Sequence, residues 1–158
     1  REFMLAARRG SGLVLLILNI NKFKDINYCC GREFGDFVLR EISALLLARV
    51  RNTDICSRIG VDEFAILLPD ADSEEGEMIA GTIEAIISDF VFEDGIQGRQ
   101  IGISMALASN SQESVTTHDE FFALVNEKLH AAKKNSRNKL TSPLYDFPGE
   151  TEETLLTQ

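Results

Sequence analysis

The chain has 158 residues, 44% of them apolar and 26% charged, which suits one compact domain with a real core rather than a disordered or fibrous segment. A formal net charge of −9 argues against a general nucleic-acid surface, which needs clustered Lys and Arg, but leaves room for a small phosphorylated ligand held by a few local cations. The longest apolar run, Leu13 to Leu18, is far too short to cross a bilayer, and no signal-peptide pattern opens the chain.

Arg1 to Arg9 reads as a helix that begins abruptly, so the natural protein is expected to continue upstream. Leu13 to Ile20 is a continuous apolar run of strand length, consistent with a strand buried on both faces. Asn21 to Gly31 reads as a polar turn region containing Cys29 and Cys30. With Cys56 these make three cysteines without Cys-x-x-Cys spacing, read as reduced thiols of a cytoplasmic protein. Phe34, Val38, Ile42 and Leu45 then repeat at helical spacing. Asp54 to Arg58 and Glu63 to Leu68 flank Gly60-Val61 as a hairpin ending at Pro69. Ile79, Ile83, Ile86 and Phe90 mark a second amphipathic helix, Ile101 to Ala108 a further strand, and Phe121, Val125, Leu129 and Ala132 a last helix. The resulting order predicts an α+β fold, with helices on a mainly antiparallel central sheet. Residues 1–142 are read as this domain. Residues 143–158, with two of the three prolines and four acids, are read as a surface tail or a linker to another domain.

Four segments in order carry a family resemblance. They are Asn19-Ile20-Asn21-Lys22-Phe23-Lys24-Asp25-Ile26-Asn27, Gly31-Arg32-Glu33-Phe34-Gly35-Asp36, Arg58-Ile59-Gly60-Val61-Asp62-Glu63-Phe64 and Ala132-Lys133-Lys134-Asn135-Ser136-Arg137-Asn138. They resemble the D-x-D-x-F-K-x-x-N run, the G-x-x-x-G-D helix start, the signature hairpin and the A-K-x-x-G-R-N stretch of the GGDEF family, the diguanylate cyclase domains of bacterial cyclic-di-GMP signalling. Each alone is a weak signal; four in register, from residue 19 to residue 138, are a strong one. The family's N-terminal L-T-G-L-x-N-R turn is not found, so the sequence is expected to start just inside it.

The resemblance implies a ferredoxin-like palm of the nucleotidyl cyclase kind. It also implies a reaction in which two GTP molecules, one on each subunit of a dimer, are joined with the help of Mg²⁺. The family's metal ligands fall here on Asn19, the Ile20 backbone carbonyl and Asp62, and the signature acids are Asp62 and Glu63. Its guanine-binding pair falls on Asn27 and Asp36, and its phosphate-contacting cations on Lys133 and Arg137. Asn19 offers a neutral oxygen where the family has a carboxylate, which is expected to weaken the Mg²⁺ site. Val61 replaces a signature glycine; if the turn needs positive φ, a β-branched residue must change it or crowd the nucleotide. Tyr28 and Ser136 also depart from the family pattern.

Arg51-Asn52-Thr53-Asp54 resembles the family's inhibitory R-x-x-D motif, in which Arg51 and Asp54 would meet cyclic-di-GMP, and neither is expected to be needed for folding if both side chains lie on the surface. From Ile59 to Gly98 there is no Lys or Arg but 11 of the 25 acids, a poor field for an anionic ligand. His118 and His130 form no metal or triad constellation, and His130 is read as a packing residue. The preferred expectation is a degenerate GGDEF domain, catalytically impaired, that senses a nucleotide or regulates. The alternatives are a weakly active diguanylate cyclase and a non-binding dimerisation or interaction domain. The implied partners are GTP or cyclic-di-GMP, a second copy of the chain, and a linked EAL or sensor domain.

Overall fold

In the computed structural model, which describes residues 1–139, strand β1 (Leu13–Ile20) is buried at every position. On one face Val14, Leu16, Leu18 and Ile20 join a core with Val38, Ile42 and Leu46 of helix α3 (Arg32–Leu47) and Ile83 and Ile87 of α4 (Ser73–Asp89). On the other, Leu13, Leu15 and Ile17 meet Ala6 of α1 (Glu2–Arg9) and Phe121, Val125 and Leu129 of α5 (His118–Lys139). A strand covered on both sides can spare no polar alternation, which is why its sequence is apolar throughout except for the buried Asn19.

Strands β2 (Ile55–Arg58), β3 (Glu63–Pro69) and β6 (Ile103–Ser109) complete the sheet in the order β2-β3-β1-β6, and every neighbouring pair is antiparallel. This is the ferredoxin-like split βαβ arrangement that the family resemblance implies. Its register sets Asn19 opposite Glu63 on one side and Ser104 on the other. Directly opposed residues point to the same face. These three side chains therefore share the α5 face, at the end of β1 remote from α1. Helix α5 follows β6 and packs along the sheet, so it runs back from the Ser109 end toward Asn19.

Several expectations need correction. The polar region after β1 is not a turn but a helix, α2 (Phe23–Cys30), because Phe23 and Ile26 sit at helical spacing and both are buried. The fully buried positions late in α3 and α4 are Leu46 and Ile87, one residue beyond the expected Leu45 and Ile86. Phe90 ends α4 instead of continuing it, and stacks edge-on against Phe92, ring centroids 4.6 Å apart. Phe92 belongs to a small hairpin, β4 (Phe92–Glu93) with β5 (Gly98–Arg99), which the sequence pattern did not suggest. His130 is exposed, so its packing role is not found. The three cysteines are free thiols, each half-buried. Among the described residues no helix is long and apolar enough to cross a membrane. The expected tail, residues 143–158, lies outside the described residues.

Candidate functional site

The signature loop begins where β2 ends. The Ile59 N–H donates to the Glu63 carbonyl at 2.9 Å, and Arg58 folds over the loop. Its Nε donates to the Gly60 carbonyl at 2.9 Å and its Nη2 to the Val61 carbonyl at 2.8 Å, so one guanidinium holds both carbonyls of the bend. Neither Gly60 nor Val61 has positive φ. The expected backbone conflict at Val61 therefore does not arise, and its side chain points outward, 68% exposed. A Cβ on Gly60 would meet only ordinary contacts at 3.4 Å.

Beside this loop, α2 packs on α3. The Asn27 side-chain oxygen lies 1.8 Å from where a Cβ of Gly35 would stand, so only glycine permits the approach. That oxygen is buried and accepts no hydrogen bond from any described residue. Asp36 follows Gly35 and is exposed. With Leu39, Arg40, Ser43, Arg58 and Phe64 it lines an open depression of about 310 Å³ between α3 and the sheet. The fold thus brings Asn27, Asp36 and the signature loop to one end of the sheet. Lys133 is half-buried near the end of α5, on the side of Asn19, and Arg137 follows one turn later on the same helix.

At the centre, Asn19 is only 7% exposed, and its amide nitrogen donates to the Asp62 carbonyl at 3.4 Å. The Ile20 N–H donates to the same carbonyl at 2.9 Å, while the Asn21 N–H donates to the Gly102 carbonyl on the opposite side. Successive residues of a strand point their backbone groups to opposite edges, so the Ile20 carbonyl is aimed at the signature loop. The Asn21 side-chain oxygen accepts from the Ser104 hydroxyl at 2.7 Å. Its amide nitrogen donates to no described residue. Around β1 the expected donor set is therefore one carboxylate, Asp62, with a carbonyl and an amide. No three Asp, Glu, His or Cys side chains among the described residues converge on a point that could hold a metal ion. Of this set only Asp62 brings charge to a divalent cation, and Mg²⁺ usually meets one or two carboxylates together with phosphate oxygens and water.

The Arg-x-x-Asp motif is closed on itself. Arg51 Nη2 lies 3.1 Å from Asp54 Oδ1 and donates to the Pro69 carbonyl at 3.1 Å, while the Arg51 backbone N–H donates to Asp54 Oδ2 at 2.7 Å. Asp54's side chain has 0% exposure, so the condition that both side chains lie on the surface is not met. The hydrogen bond to Asp54, opposed by burial, raises the Arg51 pKa, and the charges of Asp54, Glu75 and Asp70 add to the rise. Sequence reasoning gave no role to Arg58, Asn21, Ser104 or Gly35. All but Ser104 stood inside quoted motifs, but nothing in the sequence said what they would touch.

A ferredoxin-like sheet with an open depression beside Asp36 and Arg58, next to the β2–β3 hairpin, defines a palm-type domain. The family model for diguanylate cyclases, GGDEF domain, matches residues 1–139, and the chain belongs to that family. Among its relatives is "Diguanylate cyclase DosC" of Escherichia coli (strain K12), 30% identical over 140 residues that cover 89% of this chain and 30% of that protein. The chain thus spans about a third of the length of such relatives. Of solved structures, the active GGEEF domain of a diguanylate cyclase from Vibrio cholerae superposes with a TM-score of 0.79 at 25% identity, covering 85% of this chain and 84% of that one. The GGDEF domain of DgcB from Caulobacter crescentus, in complex with c-di-GMP, gives 0.80 at 20% identity, over 86% and 78%. At that identity the likeness shows the fold alone.

Proposed function

We propose that this domain binds a guanine nucleotide and regulates rather than synthesises, its cyclase chemistry impaired. The observation that carries this reading is Asn19, a buried amide where the family resemblance calls for a metal-binding carboxylate. A two-GTP condensation must neutralise triphosphate charge and help activate a hydroxyl, and an amide brings no anionic ligand to that task. Recognition of the base is a separate matter. Asn27 and Asp36 supply an amide and a carboxylate of the kind that reads a guanine edge, and Lys133 and Arg137 supply cations for phosphate. A domain with these groups is suited to hold GTP and pass on its occupancy, through a second copy or a linked EAL or sensor domain.

Arg51 and Asp54 are the positions for cyclic-di-GMP. Binding there requires Arg51 to leave its intramolecular partners, so GTP is the preferred ligand. The second reading, a slow diguanylate cyclase, is favoured by the retention of Asp62 and Glu63 in the signature. Incubation of the purified chain with GTP and Mg²⁺, with product separated chromatographically, is expected to yield no appreciable cyclic-di-GMP. Calorimetry is expected to detect GTP binding that weakens on Asp36→Ala. Sustained turnover abolished by Asp62→Ala would overturn the proposal in favour of the second reading.

A further inference from the structure

Resting on the nucleotide reading above, we propose that the cleft takes its nucleoside triphosphate without a divalent cation. The amides of Asn19 and Asn21 and the first turn of α2 would receive phosphate oxygens directly. The argument begins with charge. A carboxylate beside a phosphate repels it, and a divalent cation is what lets the two share a site. An amide in the same position offers N–H donors and no charge, so that repulsion, one of the reasons for the cation, disappears.

Three features of this chain support direct contact. Asn19 is 7% exposed, and its amide nitrogen makes only a long 3.4 Å bond to the Asp62 carbonyl. Asn21 commits its oxygen to the Ser104 hydroxyl at 2.7 Å, which turns its amide nitrogen away from that bond and leaves it with no donor contact among the described residues. Asn21 is then followed by Lys22, which holds a left-handed conformation (φ 53°, ψ 36°) and starts α2 without a side-chain cap. The first-turn N–H groups of an uncapped helix carry partial positive charge suited to an anion. Here that helix end directly follows the two amides, with Lys24 exposed on its first turn. Lys133 approaches from α5. Donors thus come from β1, α2 and α5; the acids at this end among the described residues include Asp62 and Glu63 of the signature and the exposed Asp25 on the first turn of α2.

The test is titration calorimetry of the full chain with GTP, once in EDTA and once in excess MgCl₂. The expected result is the same affinity in both. Binding seen only with Mg²⁺ overturns this inference while leaving nucleotide binding intact. Absence of binding in both buffers removes the inference together with the functional reading beneath it. Asn19→Asp is expected to weaken binding in EDTA by about tenfold or more, the loss of a charge-assisted contact and the gain of a repulsion, and Mg²⁺ is expected to restore it. Unchanged affinity of the folded variant in EDTA would show that residue 19 does not face phosphate and would overturn the assignment. Because Asn19 is buried, the same comparison is made with the half-buried Asn21→Asp, the thermal midpoint without ligand serving as the folding control for both.

Discussion

The side-chain oxygen of Asn27 occupies the space in which a Cβ on Gly35 would lie, 1.8 Å from it. This places the end of α2 against the first turn of α3 and fixes Asn27 beside Asp36. Gly35→Ala therefore cannot be absorbed without moving Asn27. Phe23 also stands 3.3 Å from the added carbon, which closes the other way out. The expected cost is about 1–3 kcal/mol in chemical denaturation, typical of overpacking. Guanine-nucleotide affinity is expected to fall as well. If Gly35→Ala keeps both stability and affinity, the α2–α3 contact is looser than described.

Arg58 and the signature loop give a second expectation. Its guanidinium spans the Gly60 and Val61 carbonyls with two directed bonds on an exposed surface. Removing them by Arg58→Ala is expected to cost about 0.5–1.5 kcal/mol, the ordinary range for such bonds in contact with water. Arg58→Lys is expected to recover little of this, because an ammonium cannot reproduce the planar fork. Amide hydrogen exchange at Gly60 to Asp62 is the sensitive measurement. Equal protection in wild type and Arg58→Ala would show that the loop holds its shape unaided.

The closed Arg51–Asp54 pair turns a supposed ligand site into a structural one as well. Asp54 has no exposed side-chain surface, and its carboxylate accepts from the Arg51 backbone and guanidinium. Arg51→Ala leaves that buried carboxylate short of donors, and Asp54→Ala frees the Arg51 N–H. Each is expected to lower stability by about 1–3 kcal/mol, read as a shift in the urea midpoint. Loss of cyclic-di-GMP binding in either variant is informative only after that shift is measured. An unshifted midpoint in both variants contradicts the structural role.

Acid titration separates out the β4–β5 hairpin. Hydrogen bonds from the Gln97 backbone, then the Arg99 side chain, then the Ile96 backbone hold the Asp94 carboxyl at about 2, below its ordinary 3.8. A carboxyl depressed in the folded state contributes stability that is fully present above its unfolded pKa and is lost as pH falls through the folded one. The window is therefore about pH 4 down to about pH 2. Following the Asp94 carboxyl carbon by NMR is expected to place its titration below that of an unfolded peptide. The thermal midpoint of Asp94→Asn is expected to lack this part of the acid dependence. A titration near 4 would mean that the hairpin bonds are not formed in solution.

The sequence by itself determined the sheet and its helices. Two-faced burial writes an unbroken apolar run at Leu13 to Leu18, and helical faces write their own spacing, as at Phe34, Val38 and Ile42. It also placed the motif residues in order, because a family signature is a local string. Helix α2 was missed because two buried residues in eight, Phe23 and Ile26, give too weak a period to outweigh polar neighbours. Only the tertiary structure decided what the site residues touch. Asn27 against Gly35 depends on how two helices cross. Arg58 over Gly60 and Val61 depends on the turn's carbonyl directions. The alignment of Asn19 with Glu63 and Ser104 depends on strand register between segments more than 40 residues apart. Those contacts are set by the packing of distant elements, and no local pattern in the chain encodes the distances between them.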